Sequence, residues 1–150
     1  MIELELFFKA SLGFGSVVDL GETPAGRRQI MTTDGGQIDS PRLTGVIHSG
    51  GADWQIQRQD GTSVLDVRFT IETTSGDIIY VQNAGYRYGS PEVMERIEKG
   101  EEVDPESYYF RTVPKFETAS PTYDWVNRTI FVATGIRWPN SAELVVYEVK

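Results

Sequence analysis

The segment Gly50-Gly51-Ala52-Asp53-Trp54 sets a carboxylate beside a large ring, directly after two residues without side chains. Paired glycines let a backbone bend sharply or approach a ligand closely, and a carboxyl buried against Trp54 would have its pKa raised towards the range of a general base. The same residues also fit a turn in which Asp53 holds backbone N–H groups while Trp54 packs inward. Arg68 is the second candidate. Its strand carries Leu65, Val67, Phe69 and Ile71 on one face and Asp66, Arg68, Thr70 and Glu72 on the other. Lining an interior, Arg68 would clamp a carboxylate or enolate with two parallel hydrogen bonds; facing water, it belongs to the solvated side of a half-buried strand.

Arg28, Asn83, Arg87, Arg111 and Asn127 are further polar residues within or beside apolar runs. In "YYFRT" Tyr109 shares a face with Arg111, and in "YDWVNRTIF" a continuous strand would align Trp125, Asn127, Thr129 and Phe131. Mixed aromatic and polar surfaces of this kind suit either a small-molecule pocket or a satisfied core. The expected function is binding of an anionic or oxygenated small organic molecule in a barrel interior or mouth lined by Trp54, Arg68, Tyr80, Arg111, Trp125 and Asn127. With Asp53 as the base and arginine stabilising the oxyanion, the expected chemistry is that of a cofactor-free isomerase, lyase or cyclase. The alternative is a non-catalytic ligand-binding or homo-oligomeric structural protein, whose aromatic surfaces make subunit contacts.

Other chemistries find little support. His48 is the single histidine, so no multi-histidine metal centre is expected and any Ser-His-Asp triad would have to use it; neither "GFGSV" nor "IHSGG" has nucleophile-elbow spacing. There is no cysteine, hence no thiolate nucleophile and no disulfide framework. "GFGSVVDLG" is neither a dinucleotide nor a phosphate-loop fingerprint, and the acidic run Glu98 to Glu106 lacks calcium-loop spacing. The "NRT" at Asn127 is read as an accidental match to a glycosylation acceptor. A formal charge of −8 repels phosphate backbones and anionic lipid, so neither nucleic acid nor membrane is an expected partner. "MIELELFFKA" alternates and has no basic start before an apolar block, so it reads as a strand and the cytoplasm is the expected compartment.

Many short strands must position these residues. Fifteen glycines, seven prolines and seventeen aromatic residues, counting Trp 3, Tyr 7 and Phe 7, accompany no long helical period. Period-two alternation marks Ile2 to Phe8, and Gly13 and Gly15 bend or bulge the chain beyond it. Further runs lie at Gly15 to Leu20, Arg27 to Thr33 and Leu43 to His48, with a short alternating segment after Trp54. Val64 to Thr73 and Asp77 to Asn83 form a hairpin about Ser75-Gly76, and Tyr108 to Val113, Val126 to Ile136 and Glu143 to Val149 complete the set. Ser90-Pro91-Glu92 and Lys99-Gly100 bracket one short helix with an apolar stripe of Val93, Met94 and Ile97. The expectation is an all-β fold, an antiparallel β-barrel of roughly nine or ten strands with one helix, spanning residues 1–150 as a single domain; closure removes exposed edges, and a β-sandwich is the competing architecture.

Taken in order, "GRRQIMTTDGG", "LTGVIHSGGADWQIQRQDG", "LDVRFTIETTSGDIIYVQNAGYR", "YYFRTVPKFET" and "YDWVNRTIFVATGIR" resemble the family called domain of unknown function 3237, or uncharacterised protein family 0311. The most specific element is "GGADW" followed by "DG", and the resemblance spans nearly the whole chain. It implies a compact antiparallel β-barrel and assigns no reaction. One departure is His48-Ser49, where the family pattern implies a small or proline-containing pair before the glycines.

Overall fold

The strand that begins near the amino terminus continues well past Gly13 and Gly15. The computed structural model describes residues 1–150, and its first strand, β1, runs from Leu4 to Thr23. Register shifts between Leu12 and Phe14, and between Phe14 and Val17, bend this strand without ending it. β2 (Gly26–Ser40), β3 (Leu43–Gln57), β4 (Ser63–Thr73) and β5 (Ile78–Gly89) come next as hairpin neighbours. After the helix α1 (Pro91–Glu98) come β6 (Tyr108–Thr118), β7 (Phe131–Arg137) and β8 (Ser141–Val149). Each strand pairs antiparallel with the next, and β8 pairs back onto β1, closing an eight-stranded barrel.

The expectation of nine or ten strands is therefore corrected to eight. Two bulged strands each read as two in the sequence: Ile2 to Phe8 and Gly15 to Leu20 both belong to β1, while Leu43 to His48 and the segment after Trp54 both belong to β3. A bulge inserts residues on one side of a ladder and bends the strand while pairing resumes beyond it. The run from Val126 to Ile136 is also not one strand. Asp124–Arg128 is a 3₁₀ turn and β7 begins only at Phe131, so Trp125 and Asn127 are not on a strand face.

Eight strands leave a lumen that side chains nearly fill. At one end Phe7, Phe8, Phe116 and Phe131 make edge-on contacts, with the Phe116 and Phe131 centroids 4.8 Å apart, and Trp125 closes over Phe7 at 5.0 Å. Each such aromatic pair contributes about 0.5–1.5 kcal/mol beyond the burial itself. This end is plugged by apolar side chains.

The opposite end is roofed by α1. Ser90 Oγ accepts from Val93 N–H at 3.2 Å, Pro91 occupies the first turn, and Lys99 N–H closes on the Glu95 carbonyl. Such a cap stabilises a helix by about 1 kcal/mol. Met94 and Ile97 are buried against Leu65, Val103, Tyr108 and Phe110. Arg27 of β2 reaches Glu98 at 3.1 Å and Asp19 of β1 at 2.7 Å, tying helix and hairpin together at the rim. No helix is long and apolar enough to cross a membrane.

Candidate functional site in the barrel lumen

The register of β3 slips over the segment His48 to Ala52. Ile47 pairs with Ile71, yet Ala52 pairs with Arg68, so β3 carries extra residues relative to β4. Gly50 adopts φ 98°, a conformation that side chains disfavour. At Gly51 the constraint is space: an added Cβ would collide with the Arg68 carbonyl and lie 2.7 Å from Thr33 Oγ1 and 3.0 Å from Phe69 Cβ. The two glycines thus perform different tasks, one permitting the bend and the other the close approach of strands. Beyond the bulge, Asp53 pairs with Val67 and turns into the lumen, whereas Trp54 turns out and stays 44% exposed.

Asp53 borders a cavity of about 40 Å³ between the aromatic plug and the mouth. Its polar wall is Asp53, Thr33, Asn83, Arg87, Thr112 and Arg137, and Leu12, Phe14, Leu65, Val67, Phe110 and Leu144 supply apolar wall. Asp53 Oδ1 accepts a hydrogen bond from Asp66 N–H at 3.1 Å. Burial outweighs this bond and the pull of the Arg87 charge, so the carboxyl pKa is pushed up to about 6.

Two guanidiniums share the cavity wall. Arg87 is only 8% exposed; its head lies 5.3 Å from the Phe110 ring centroid, makes no ion pair, and has an unpartnered Nε. Burial lowers its pKa, opposed by the Asp53 charge. Arg137 lies 4.2 Å from the Phe14 centroid and donates to the carbonyls of Trp138 and Pro139. Its pKa is brought down to about 10, first by burial and then by the neighbouring charge of Arg87, which still leaves it protonated at neutral pH. Thr33 Oγ1, Asn83 Oδ1 and Thr112 Oγ1 are buried without partners as well. Buried polar atoms in native proteins are nearly always satisfied, by protein, water or ligand, so this cluster has capacity for a guest.

Beyond the arginines, a second space of about 110 Å³ forms the mouth, bounded by Gln29, Gln55, Gln57 and Ser63, with Met94 and Ile97 above it. Arg87 and Arg137 border both spaces, so anything entering from the mouth meets them before it reaches Asp53.

Of the residues expected to line the ligand, the structure brings none into this cavity apart from the proposed base Asp53. Arg68 stands on the outer wall, 3.5 Å from Asp66, and Arg111 stands on the outer wall over the Tyr109 ring. Tyr80 and Asn127 border a shallow external depression; Asn127 is engaged with the Thr118 backbone through Oδ1 and Nδ2. Trp125 belongs to the plug, with the Arg42 guanidinium 5.1 Å from its centroid. His48 also lies outside, 2.8 Å from Thr70 Oγ1 and 3.4 Å from Glu72. Arg87 and Asn83, which the sequence marks only as polar residues in an apolar run, are central, and Arg137, Thr33 and Thr112 join them without any such mark. Strand parity carries the missing signal: Asn83 and Arg87 fall in step with Ile79 and Val81, and Arg137 with Phe131 and Ala133.

Fold and lumen together define a closed antiparallel β-barrel with a plugged base and a charged internal cavity. The chain belongs to the family described as "Protein of unknown function (DUF3237)", whose pattern matches residues 2–149. A Rhodopseudomonas palustris protein of the UPF0311 group is 34% identical over 148 residues, covering 99% of this chain and 97% of that one. The crystal structure of a conserved protein of unknown function from that organism superposes with a TM-score of 0.94 at 33% identity, over 100% of this chain and 98% of the other. A β-barrel-like protein from Acinetobacter baumannii gives 0.88 at 38% identity, over 100% and 97%. An enzyme from Penicillium herquei gives 0.74 at 21% identity, over 99% and 95%, a likeness of fold.

Proposed function

We propose that the barrel binds a small anionic or oxygenated organic molecule at the arginine-bordered lumen and performs proton-transfer chemistry on it. The observation that carries this is one half-buried carboxylate lining the lumen beside two guanidiniums with which it forms no ion pair, ringed by polar atoms that lack partners. With a pKa near 6, Asp53 is largely ionised at neutral pH yet basic enough to accept a proton from a carbon or hydroxyl. Arg87 and Arg137 supply positive charge for the oxygen on which negative charge develops. Returning that proton to another atom of the same molecule is an isomerisation; coupling its loss to departure of a leaving group or to ring closure gives a lyase or a cyclase. None of these steps moves electrons to an external acceptor.

The two inner spaces are small beside the roughly 300–1,000 Å³ of ordinary ligand sites, so the reacting head group enters while the remainder lies in the mouth under α1. A thermal-shift screen of small oxygenated acids, lactones and enolisable ketones tests the proposal, since a ligand bound only by the native state must raise the midpoint. Asp53→Asn is expected to keep binding and lose turnover; unchanged turnover would remove the assigned role.

The second reading is a homo-oligomeric binding protein without catalysis. It is favoured by the exposed aromatic surface of Tyr86, Tyr88 and Tyr109, with the latter two rings stacked at 4.9 Å beside a broad external groove. Light scattering that gives a dimer, together with no midpoint shift across the library, would select it.

A further inference from the structure

We propose that Arg87 and Arg137 form a seat for the carboxylate head of a small monocarboxylic acid, which enters beneath α1 and presents its neighbouring carbon or hydroxyl to Asp53. The inference rests on the interior-ligand reading above and narrows its substrate class to acids ionised at neutral pH.

Three features favour a carboxylate. The first is charge: two guanidiniums face one carboxylate, so a single added negative charge neutralises the cluster. The second is geometry. Each guanidinium lies near an aromatic ring, Phe110 for Arg87 and Phe14 for Arg137; Arg87 donates no hydrogen bond within the protein and Arg137 commits only Nη1, to the Trp138 and Pro139 carbonyls, so N–H groups of both remain for a two-oxygen anion. Arg87 is buried, makes no ion pair and has a free Nε, an arrangement costly to maintain without an anion or water beside it. The third is the mouth, where Gln29, Gln55, Gln57 and Ser63 are neutral, and Glu98, the acid at its rim, is engaged by Arg27. The polar wall of the mouth therefore repels no anion and suits the uncharged remainder of the molecule.

A bound carboxylate competes with Asp53 for the same two cations. Protonating Asp53 removes that competitor, so affinity should rise as pH falls through its titration. The other charged or titratable groups that bear on the site are Arg87 from β5 and Arg137 from β7, Tyr108 from β6 beside those two arginines, and Asp66 from β4, whose carboxyl lies on the outer wall with Arg68. Glycolate is a suitable probe because its own carboxyl stays ionised over the range, and glycolamide is its neutral counterpart. Both are titrated into the protein while the side-chain Nε–H signals of its arginines are followed by NMR.

Glycolate is expected to shift the Arg87 and Arg137 signals saturably, with glycolamide at least about tenfold weaker. Glycolate affinity should rise about tenfold from about pH 7.5 to about pH 5. Asp53→Asn should bind at the low-pH level throughout, and Arg87→Met and Arg137→Met should each weaken binding about tenfold. The Asp53→Asn titration decides the matter if either arginine variant fails to fold. Glycolate that leaves both signals unmoved, or glycolamide that binds equally well, overturns the seat. If neutral diols or ketones still perturb the lumen, the seat alone falls; if neither class does, the interior-ligand reading falls with it.

Discussion

Asp53 Oδ1 accepts the backbone N–H of Asp66 at 3.1 Å, and no other protein group donates to this carboxylate. The bond crosses from β3 to β4 and aims the carboxyl at the cavity. Its second oxygen accepts no hydrogen bond from the protein. A partly desolvated carboxylate with only one donor is held in an unfavourable charged state, which is why its pKa rises.

That rise has a consequence for stability. A carboxyl with a pKa near 6 in the fold and about 3.9 in the unfolded chain makes the native state bind more protons over that interval. Its contribution is fully present below the unfolded pKa and is lost as pH rises through 6. Asp53→Asn, which stays neutral at every pH, should therefore be more stable than the parent by about 3 kcal/mol near neutrality. The difference should vanish in acid. Urea unfolding of both proteins across this range measures it, and parallel curves would contradict the burial argument.

The two glycines of the bulge should behave differently. Gly51→Ala places a methyl group against the Arg68 carbonyl, which cannot yield without disturbing the ladder, and a loss of about 2–3 kcal/mol is expected. Gly50 has open space around the added Cβ and only its φ to object, so Gly50→Ala should cost about 1 kcal/mol. Equal losses would mean that strand approach is not what the second glycine provides.

Trp125 gives a test of stability against binding. It packs on Phe7 and Phe131 at the plugged end, so Trp125→Ala should lower stability by about 3 kcal/mol and leave ligand affinity unchanged. Arg68→Ala and Arg111→Ala, on the outer wall, should each change stability by under about 0.5 kcal/mol and leave affinity alone. Loss of affinity in either arginine variant would place the ligand outside the lumen.

The hairpin about Ser75-Gly76, the Ser90-capped helix and the antiparallel barrel are legible in the sequence because turn chemistry, capping and period-two alternation are local signals. The number of strands is less so. A glycine bulge and a glycine turn look alike in sequence, and only the partner strands, which continue past Gly13 and Gly50, distinguish them. Asp53 stands out through its glycines. Arg68 and Tyr80 draw attention as polar residues on the polar parity of their strands, the parity that faces outward in this barrel. Arg87 and Arg137 occupy the apolar parity, where a charge is out of place, and that anomaly is the better guide to a lumen site.

β6 and β7 meet only at Arg111↔Thr134 and Thr112↔Ala133, whereas β1 and β8 pair from Leu4↔Val149 to Gly13↔Ser141. Lys150 N–H even reaches the Glu3 carbonyl at 2.8 Å, so the two ends of the chain are hydrogen-bonded neighbours. The cylinder's thinnest seam thus lies between segments adjacent along the chain, and a firmer joint unites its termini. Amide deuteration should begin along that seam, and a circular permutant that links Lys150 to Met1 and opens between β6 and β7 should retain the barrel.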